Sequence, residues 1–146
     1  MVRQKIMGRV TVEAKVENAG DLWAVAQGLR KPEEVRSIQV TDALVDTGCT
    51  LLCLPTGMIR QLGFDRPIRT RTAKTTRGDD QSNVYGPVRL TVNGRDCSVD
   101  VAEIDDACPV LIGQVPLELL DFVVDLTNQR LVGNPAHGGE AMIEMY

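Results

Sequence analysis

The sequence predicts a mainly β domain with one or two short helices. Its 146 residues fit a single domain and leave little room for a second core. Aromatic residues make up only 3%, so the core must be built from Val, Leu, Ile and Ala, and β-branched residues favour strands. Several segments also alternate apolar and polar residues with the period of two that is typical of strands.

The clearest strand lies near the start of the chain, where residues 10–16 alternate Val or Ala with polar side chains. Residues 18–21 are interpreted as a turn. Residues 22–29 fit either a strand or a short helix, and a charged loop follows over residues 31–34.

Alternation resumes near Val35 and leads to Asp46, so a strand is expected to deliver Asp46 to a glycine turn. The apolar run 51–54 predicts a short strand. Thr56 is placed to cap a helix that Gly63 ends. The predicted inward-facing residues of this helix are Met58, Ile59 and Leu62.

Two hairpins are predicted in the middle of the chain. The β-prone segments 68–76 and 83–90 flank the polar stretch 77–82, which is expected to form a projecting tip. Further along, Asn93-Gly94 separates two alternating runs, and this pair favours the type I′ turn of a tight hairpin.

The C-terminal third begins with a buried-strand pattern at 109–113, and Pro116 suits the first turn of a following helix. A last strand is expected to start at Phe122. The Pro/Gly-rich residues after Gly133 break regular structure. We therefore predict a domain over 1–133 and a C-terminal tail or dimer-interface segment over 134–146.

Charge and hydropathy limit the possible partners. The net charge of −4 argues against nucleic acid, because phosphate binding needs a positive face. Residues 1–8 contain no apolar run long enough for a signal peptide or a membrane span, so we expect no membrane partner and a cytoplasmic location. The acid-free basic stretch 66–77 is interpreted as a solvated hairpin face, although it would also suit acidic peptides.

One tripeptide, Asp46-Thr47-Gly48, is suggestive alone and more specific in its setting. Apolar residues precede it, Cys49-Thr50 follow it, and Leu111-Ile112-Gly113 comes later after a hairpin-rich stretch. Together these residues resemble the retropepsin-like aspartic peptidases, and the order of elements matches from about Val40 to Leu131. The nearest likeness is to small single-domain prokaryotic-type members, which implies a single-lobe acid-protease β-barrel.

This resemblance implies an aspartic endopeptidase that acts on polypeptides as a homodimer. Peptide hydrolysis through activated water needs a base and an acid together, and two adjacent carboxylates that share one proton supply both. The chain has a single Asp-Thr-Gly, so the second carboxylate must come from a two-fold-related copy. No metal or cofactor is required.

The family roles transfer to matching positions. Asp46 would be the acid or base, and Thr47 would reach across the two-fold axis to the partner's backbone. Gly48 would let backbone amides approach the carboxylates, and the Thr50 hydroxyl would bond the outer carboxylate oxygen. Leu111, Ile112 and Gly113 would pack beside the active-site loop.

Residues 77–82 are the candidate flap, in which Arg77, Gly78 and Asp79 would contact the substrate. The tip has a single glycine beside two aspartates, whereas the family has a glycine-rich tip. The alternative interpretation is therefore a catalytically silent retropepsin-like domain that binds peptides or dimerises.

The remaining reactive side chains have simpler interpretations. The four cysteines are expected to be free and mostly buried, and a thiol metal site is the weaker alternative. His137, the sole histidine, is expected to be an exposed tail residue, which disfavours Ser-His or Cys-His catalysis.

Overall fold

A computed structural model describes residues 9–145 of the chain. Residues 1–8, from which we predicted no signal peptide, lie outside this range. The nine strands are β1 (Val10–Asn18), β2 (Ser37–Val45), β3 (Leu52–Pro55), β4 (Arg69–Thr75), β5 (Gly78–Val92), β6 (Arg95–Ile104), β7 (Leu111–Ile112), β8 (Phe122–Asp125) and β9 (Arg130–Gly133). The helices are α1 (Ala19–Ala26), α2 (Thr56–Gln61) and α3 (Gln114–Leu120), with short 3₁₀ turns at Pro32–Glu34 and Pro135–His137.

Seven of the strands form one mixed sheet in the order β1-β2-β7-β3-β6-β5-β4. Strand β1 also pairs with β5, so that Lys15–Asn18 run antiparallel to Val88–Thr91. Six strands therefore close into a ring, and β4 extends β5 outside it. The prediction of a mainly β barrel is confirmed, and β8 and β9 form a separate hairpin.

The interior of the ring is aliphatic. Val10, Ala14 and Val16 of β1 are buried as their alternation predicts, while Val12 beside an irregularity in the register is only partly buried. The largest fully buried side chains are Leu52, Leu54, Ile59, Leu62, Leu90, Ile112 and Leu120. Each contributes about 1.5–3 kcal/mol by leaving water, so aliphatic side chains supply most of the core, together with the buried Tyr85 and Phe122.

The predicted turn at residues 18–21 is wrong, because Asn18 ends β1 and helix α1 begins at Ala19. The Asn18 side chain accepts a hydrogen bond from the Asp21 amide at 3.0 Å, as an N-cap does. Its amide group also donates to the Leu62 carbonyl at 2.8 Å. Residues 22–29 were expected to form either a strand or a short helix. Residues 22–26 are helical, and residues 27–29 form the turn that follows the helix.

A buried carboxylate joins α1 to the start of β2. Asp21 accepts two side-chain hydrogen bonds from Arg36 at 2.9 Å each, one from the Arg36 amide and one from Arg30. The Arg36 side-chain hydrogen bonds lower the pKa of Asp21 to about 2, although burial opposes them. The Arg36 guanidinium also occupies the space that a Cβ at Gly63 would need.

Helix α2 ends as predicted but begins differently. Gly63 follows the helix with φ +86°, so its predicted role as the stop is confirmed. Thr56 was predicted to cap the helix, and this is wrong, because Thr56 is the first helical residue and Pro55 holds the cap position. The Thr56 hydroxyl instead donates to Glu103 at 2.9 Å.

The end of the chain is more structured than a single last strand. The strand predicted from Phe122 is followed by a second one, β9, and the two pair as a hairpin. His137 was expected to be exposed, but only 14% of its side chain is accessible, because its ring contacts Asp121 at 2.6 Å and Glu144 at 2.7 Å. Over residues 9–145 no helix is long and apolar enough to cross a membrane.

Candidate active site

Asp46 lies directly after β2, at the end of a parallel strand pair. Leu44 and Val45 of β2 pair with Leu111 and Ile112 of β7. The Asp46 amide continues this ladder by donating to the Ile112 carbonyl at 2.9 Å. The backbone of Asp46 is therefore held by β7 before any partner is present.

The turn after Asp46 closes on the aspartate itself. The Gly48 amide donates to Asp46 Oδ1 at 3.0 Å, and the Cys49 amide donates to the Asp46 carbonyl at 3.0 Å. A Cβ at Gly48 would stand 3.2 Å from Asp46 Oδ1, which is a tight contact. Asp46 is half-buried and Thr47 and Gly48 are exposed, so the turn presents a carboxylate at the surface.

The segment after β7 secures the far side of this loop. Gly113, Gln114 and Val115 donate their amides to the carbonyls of Leu51, Cys49 and Thr50 at 3.0, 2.7 and 2.9 Å respectively. The first amides of a helix have no partner within the helix, and here the loop carbonyls provide partners for the first two of α3. The loop and the helix start therefore stabilise one another.

Gly113 is required by this close approach. A Cβ at this position would lie 2.5 Å from the Cys49 carbonyl oxygen and closer still to that of Leu51. Both neighbours are backbone atoms, which cannot turn away as a side chain can. The structure thus places Leu111, Ile112 and Gly113 beside the Asp46 loop.

The two threonines of the motif face outward. Thr50 is exposed, and among the described residues its hydroxyl makes no hydrogen bond to Asp46. Thr47 lies at the edge of a groove of about 230 Å³. The groove is otherwise lined by Gln114, Leu117, Glu118, Phe122, Val123 and Val124.

The predicted flap is a regular hairpin of β4 and the first half of β5. Thr75 pairs with Gly78, so the tip is the two-residue turn Thr76-Arg77, shorter than the predicted loop over 77–82. Gly78 has φ +111°, and the Thr75 hydroxyl donates to its carbonyl at 2.7 Å. Asp79 is exposed opposite Lys74. No hydrogen bond or ion pair described for residues 9–145 joins Arg77, Gly78 or Asp79 to the Asp46 loop.

All four cysteines are free thiols, as predicted. Only Cys53 is fully buried and Cys108 is exposed, so the expectation of mostly buried thiols is wrong. Burial raises the pKa of Cys97 to about 11. Within the described part of the chain no cluster of His, Cys, Asp or Glu is arranged to hold a metal ion.

Sequence reasoning did not identify the residues that brace the loop from α3. Gln114 and Val115 act through their backbone amides, so their side chains give no sign of this role in the sequence. The contact between Cys49 and Cys53 has a possible sequence signal, because residues four apart on a strand share one face. Their sulfur atoms lie 3.1 Å apart.

Comparisons with known proteins do not assign the chain to a family. The solution structure of the simian foamy virus (mac) protease matches 75% of this chain and 93% of its own length, with 22% sequence identity and a TM-score of 0.45. No protein-family model matches the sequence, and a search of curated proteins finds no significant match. The interpretation of the site therefore depends on its own residues and geometry.

Proposed function

We propose that the chain is an aspartic endopeptidase that is active as a homodimer. The observation that carries the proposal is Asp46, held by the Ile112 carbonyl and the Gly48 amide at the surface end of a strand. The motif around it resembles the retropepsin-like peptidases. An exposed turn that presents one carboxylate suits a site completed by a second chain.

The need for a second chain follows from the chemistry. Among the described residues no other carboxylate forms a hydrogen bond with Asp46, whereas hydrolysis through activated water needs both a base and an acid. Two Asp46 carboxylates that meet across a two-fold axis would share one proton. The ionised carboxylate would take a proton from water, and the protonated one would donate to the carbonyl oxygen.

The surroundings of Asp46 suggest how a dimer would hold a polypeptide. Thr47 and Gly48 are exposed beside the carboxylate and would lie at the two-fold axis. The hairpin of β4 and β5 would act as the flap, with Arg77, Gly78 and Asp79 at its contact end, and would exclude water from an extended peptide. A cytoplasmic location is part of the proposal, since free thiols are typical of reducing compartments.

The first experiment compares Asp46→Asn with the matched control Asp42→Asn. Asp42 lies on the same strand and is exposed. Both variants are incubated with an unfolded protein and a peptide mixture at several pH values, and circular dichroism checks their folding. We expect hydrolysis to disappear in Asp46→Asn and to persist in Asp42→Asn. Equal hydrolysis in both variants would refute the proposal.

A mixing experiment tests the shared site. Wild-type chain is mixed with a ninefold excess of Asp46→Asn at a concentration where dimers prevail. Random pairing of subunits leaves about one tenth of the wild-type chains in intact pairs, so activity per wild-type chain should fall to about that fraction. Unchanged activity would show that a single chain contains the whole site.

A catalytically silent peptide-binding domain is the second candidate. It is favoured by the flap tip, where Thr76-Arg77 form a two-residue turn with Asp79 and Asp80 close behind. Peptide binding without turnover, equal in wild type and Asp46→Asn by calorimetry, would support this candidate instead.

A further inference from the structure

Two thiols stand in contact directly behind the proposed catalytic turn. The Sγ atoms of Cys49 and Cys53 are 3.1 Å apart, closer than the ordinary van der Waals contact of two sulfur atoms. Cys49 is half-buried and Cys53 is buried. Neither residue has a part in the hydrolytic mechanism above.

The two thiols are not equivalent. The hydrogen bond from Cys53 lowers the pKa of Cys49 to about 7, although burial and the nearby Asp46 charge oppose this. The same interaction, together with burial and the same charge, raises the pKa of Cys53 well above its usual range. Cys49 therefore has thiolate character near neutral pH, and Cys53 keeps its proton.

We propose that Cys49 and Cys53 form an oxidation site that closes to a disulfide when a peroxide is present. The Cys49 thiolate attacks one oxygen of hydrogen peroxide, the O–O bond breaks, and sulfenic acid and hydroxide form. The Cys53 sulfur then attacks the sulfenic sulfur, the S–O bond breaks, and water leaves with the Cys53 proton. Two thiols are oxidised and one peroxide is reduced to two waters.

The geometry favours closure of the disulfide over further oxidation of Cys49. The resolving sulfur is already in contact, and bond formation shortens the separation from 3.1 Å to about 2.05 Å. Cys53 lies in β3 between β6 and β7, paired with Ala102 and Leu111. Cys53 is therefore held in place, and Cys49 must move toward it.

Movement of Cys49 would disturb the turn that follows Asp46. The Cys49 amide donates to the Asp46 carbonyl, and the Cys49 carbonyl accepts from Gln114. A shift of about 1 Å, the difference between contact and a bond, would strain both hydrogen bonds. The disulfide would thus loosen the loop that holds Asp46. The thiol chemistry itself does not depend on peptidase activity.

Peptide mapping after peroxide treatment tests the inference. Trypsin releases both cysteines in one peptide, residues 37–60, and releases Cys97 and Cys108 in another, residues 96–130. The intact chain is treated with hydrogen peroxide, alkylated with a maleimide and digested. We expect peptide 37–60 to carry no maleimide and to be lighter by two hydrogen atoms than the reduced, unlabelled peptide. Peptide 96–130 should carry a maleimide on each of its two cysteines. Two adducts on 37–60, or sulfinic acid at Cys49, would overturn the inference.

Single substitutions separate the two roles. In Cys53→Ser the reaction should stop at Cys49 sulfenic acid, which a cyclic dione traps. In Cys49→Ser the remaining Cys53 should resist peroxide and keep its maleimide adduct. Dione labelling at Cys53 rather than Cys49 would overturn the assignment of the nucleophile.

Hydrogen exchange measures the effect on the loop. Amides of Gln114 and Val115 should exchange faster in the oxidised chain and return to the original rate after reduction. Amides of β5 that pair with β1 at residues 88–91 are the internal reference, because β5 is three strands away from β7 in either direction around the ring. Unchanged exchange at both amides in a chain with the mapped disulfide would refute the proposed effect on the Asp46 loop.

Discussion

Gly113→Ala tests whether the Asp46 loop depends on the close approach of β7 and the start of α3. The added methyl group would meet the backbone carbonyls of Cys49 and Leu51. To relieve this contact the loop must move away from Gly113. The hydrogen bonds from the Gly113 and Gln114 amides, at 3.0 and 2.7 Å, would then weaken.

The expected cost has two parts. Overpacking against fixed atoms costs about 1–3 kcal/mol, and each weakened backbone hydrogen bond adds up to about 1 kcal/mol. We therefore expect the free energy of unfolding to fall by about 2–4 kcal/mol. The proposed peptidase activity should fall much further, because a carboxylate displaced by about 1 Å loses the geometry that the reaction needs.

The matched control is Gly57→Ala in α2. A Cβ at Gly57 would meet only the Asp106 carboxylate, at 3.3 Å, and alanine favours helix over glycine by up to about 1 kcal/mol. Urea unfolding of all variants is measured at the same protein concentration. It is followed by circular dichroism and not by tryptophan fluorescence, because the sole tryptophan, Trp23, is 61% exposed in the folded chain. If Gly113→Ala unfolds at the wild-type midpoint with full activity, the bracing role of Gly113 is wrong.

Two further predictions concern charged groups away from the site. Asp21→Asn should lower the free energy of unfolding by about 2 kcal/mol, since a pKa held near 2 stabilises the fold by about 1.4 kcal/mol per unit. This contribution is complete above the ordinary pKa near 3.8 and is lost as the pH falls through about 2, so acid unfolding should begin at higher pH in the variant. Glu144 and Asp121 raise the pKa of His137, so the contribution of this histidine to folding stability is complete below about 6.5 and is lost as the pH rises through the raised value. NMR titration of His137 should show a lower pKa in Glu144→Gln than in the wild type. An equal pKa would exclude the contact with Glu144.

The local elements were predictable because their signals depend on neighbouring residues. Alternation over residues 10–16 predicted β1, and Asn93-Gly94 predicted a hairpin in which both residues have positive φ, 48° and 79°. The placement of Asp46 after a strand followed from the same kind of pattern. Each of these inferences needs only the chain within a few residues of the feature.

The contacts between distant segments were not predictable in this way. Pairing of β1 with β5 closes the barrel, but periodicity does not identify the partner of a strand. Asn18 was taken for a turn residue although its cap contact with the Asp21 amide is local. Its other two hydrogen bonds, to the Leu62 and Arg36 carbonyls far along the chain, could not be inferred from the pattern of neighbouring residues. The same holds for Gly113, whose need for glycine appears only once the Cys49–Leu51 backbone lies against it.

The closed barrel has a consequence for the proposed dimer. The hydrogen bonds that position Asp46 come from its own chain, and the core is buried within one copy. A single chain should therefore stay folded when the dimer dissociates. On dilution below the dissociation constant, activity should fall with the square of the chain concentration, because two folded chains must meet to form each site. The circular dichroism per chain should stay constant over the same range. A parallel loss of both signals would show that folding itself requires the partner and that Asp46 is not positioned before the chains meet.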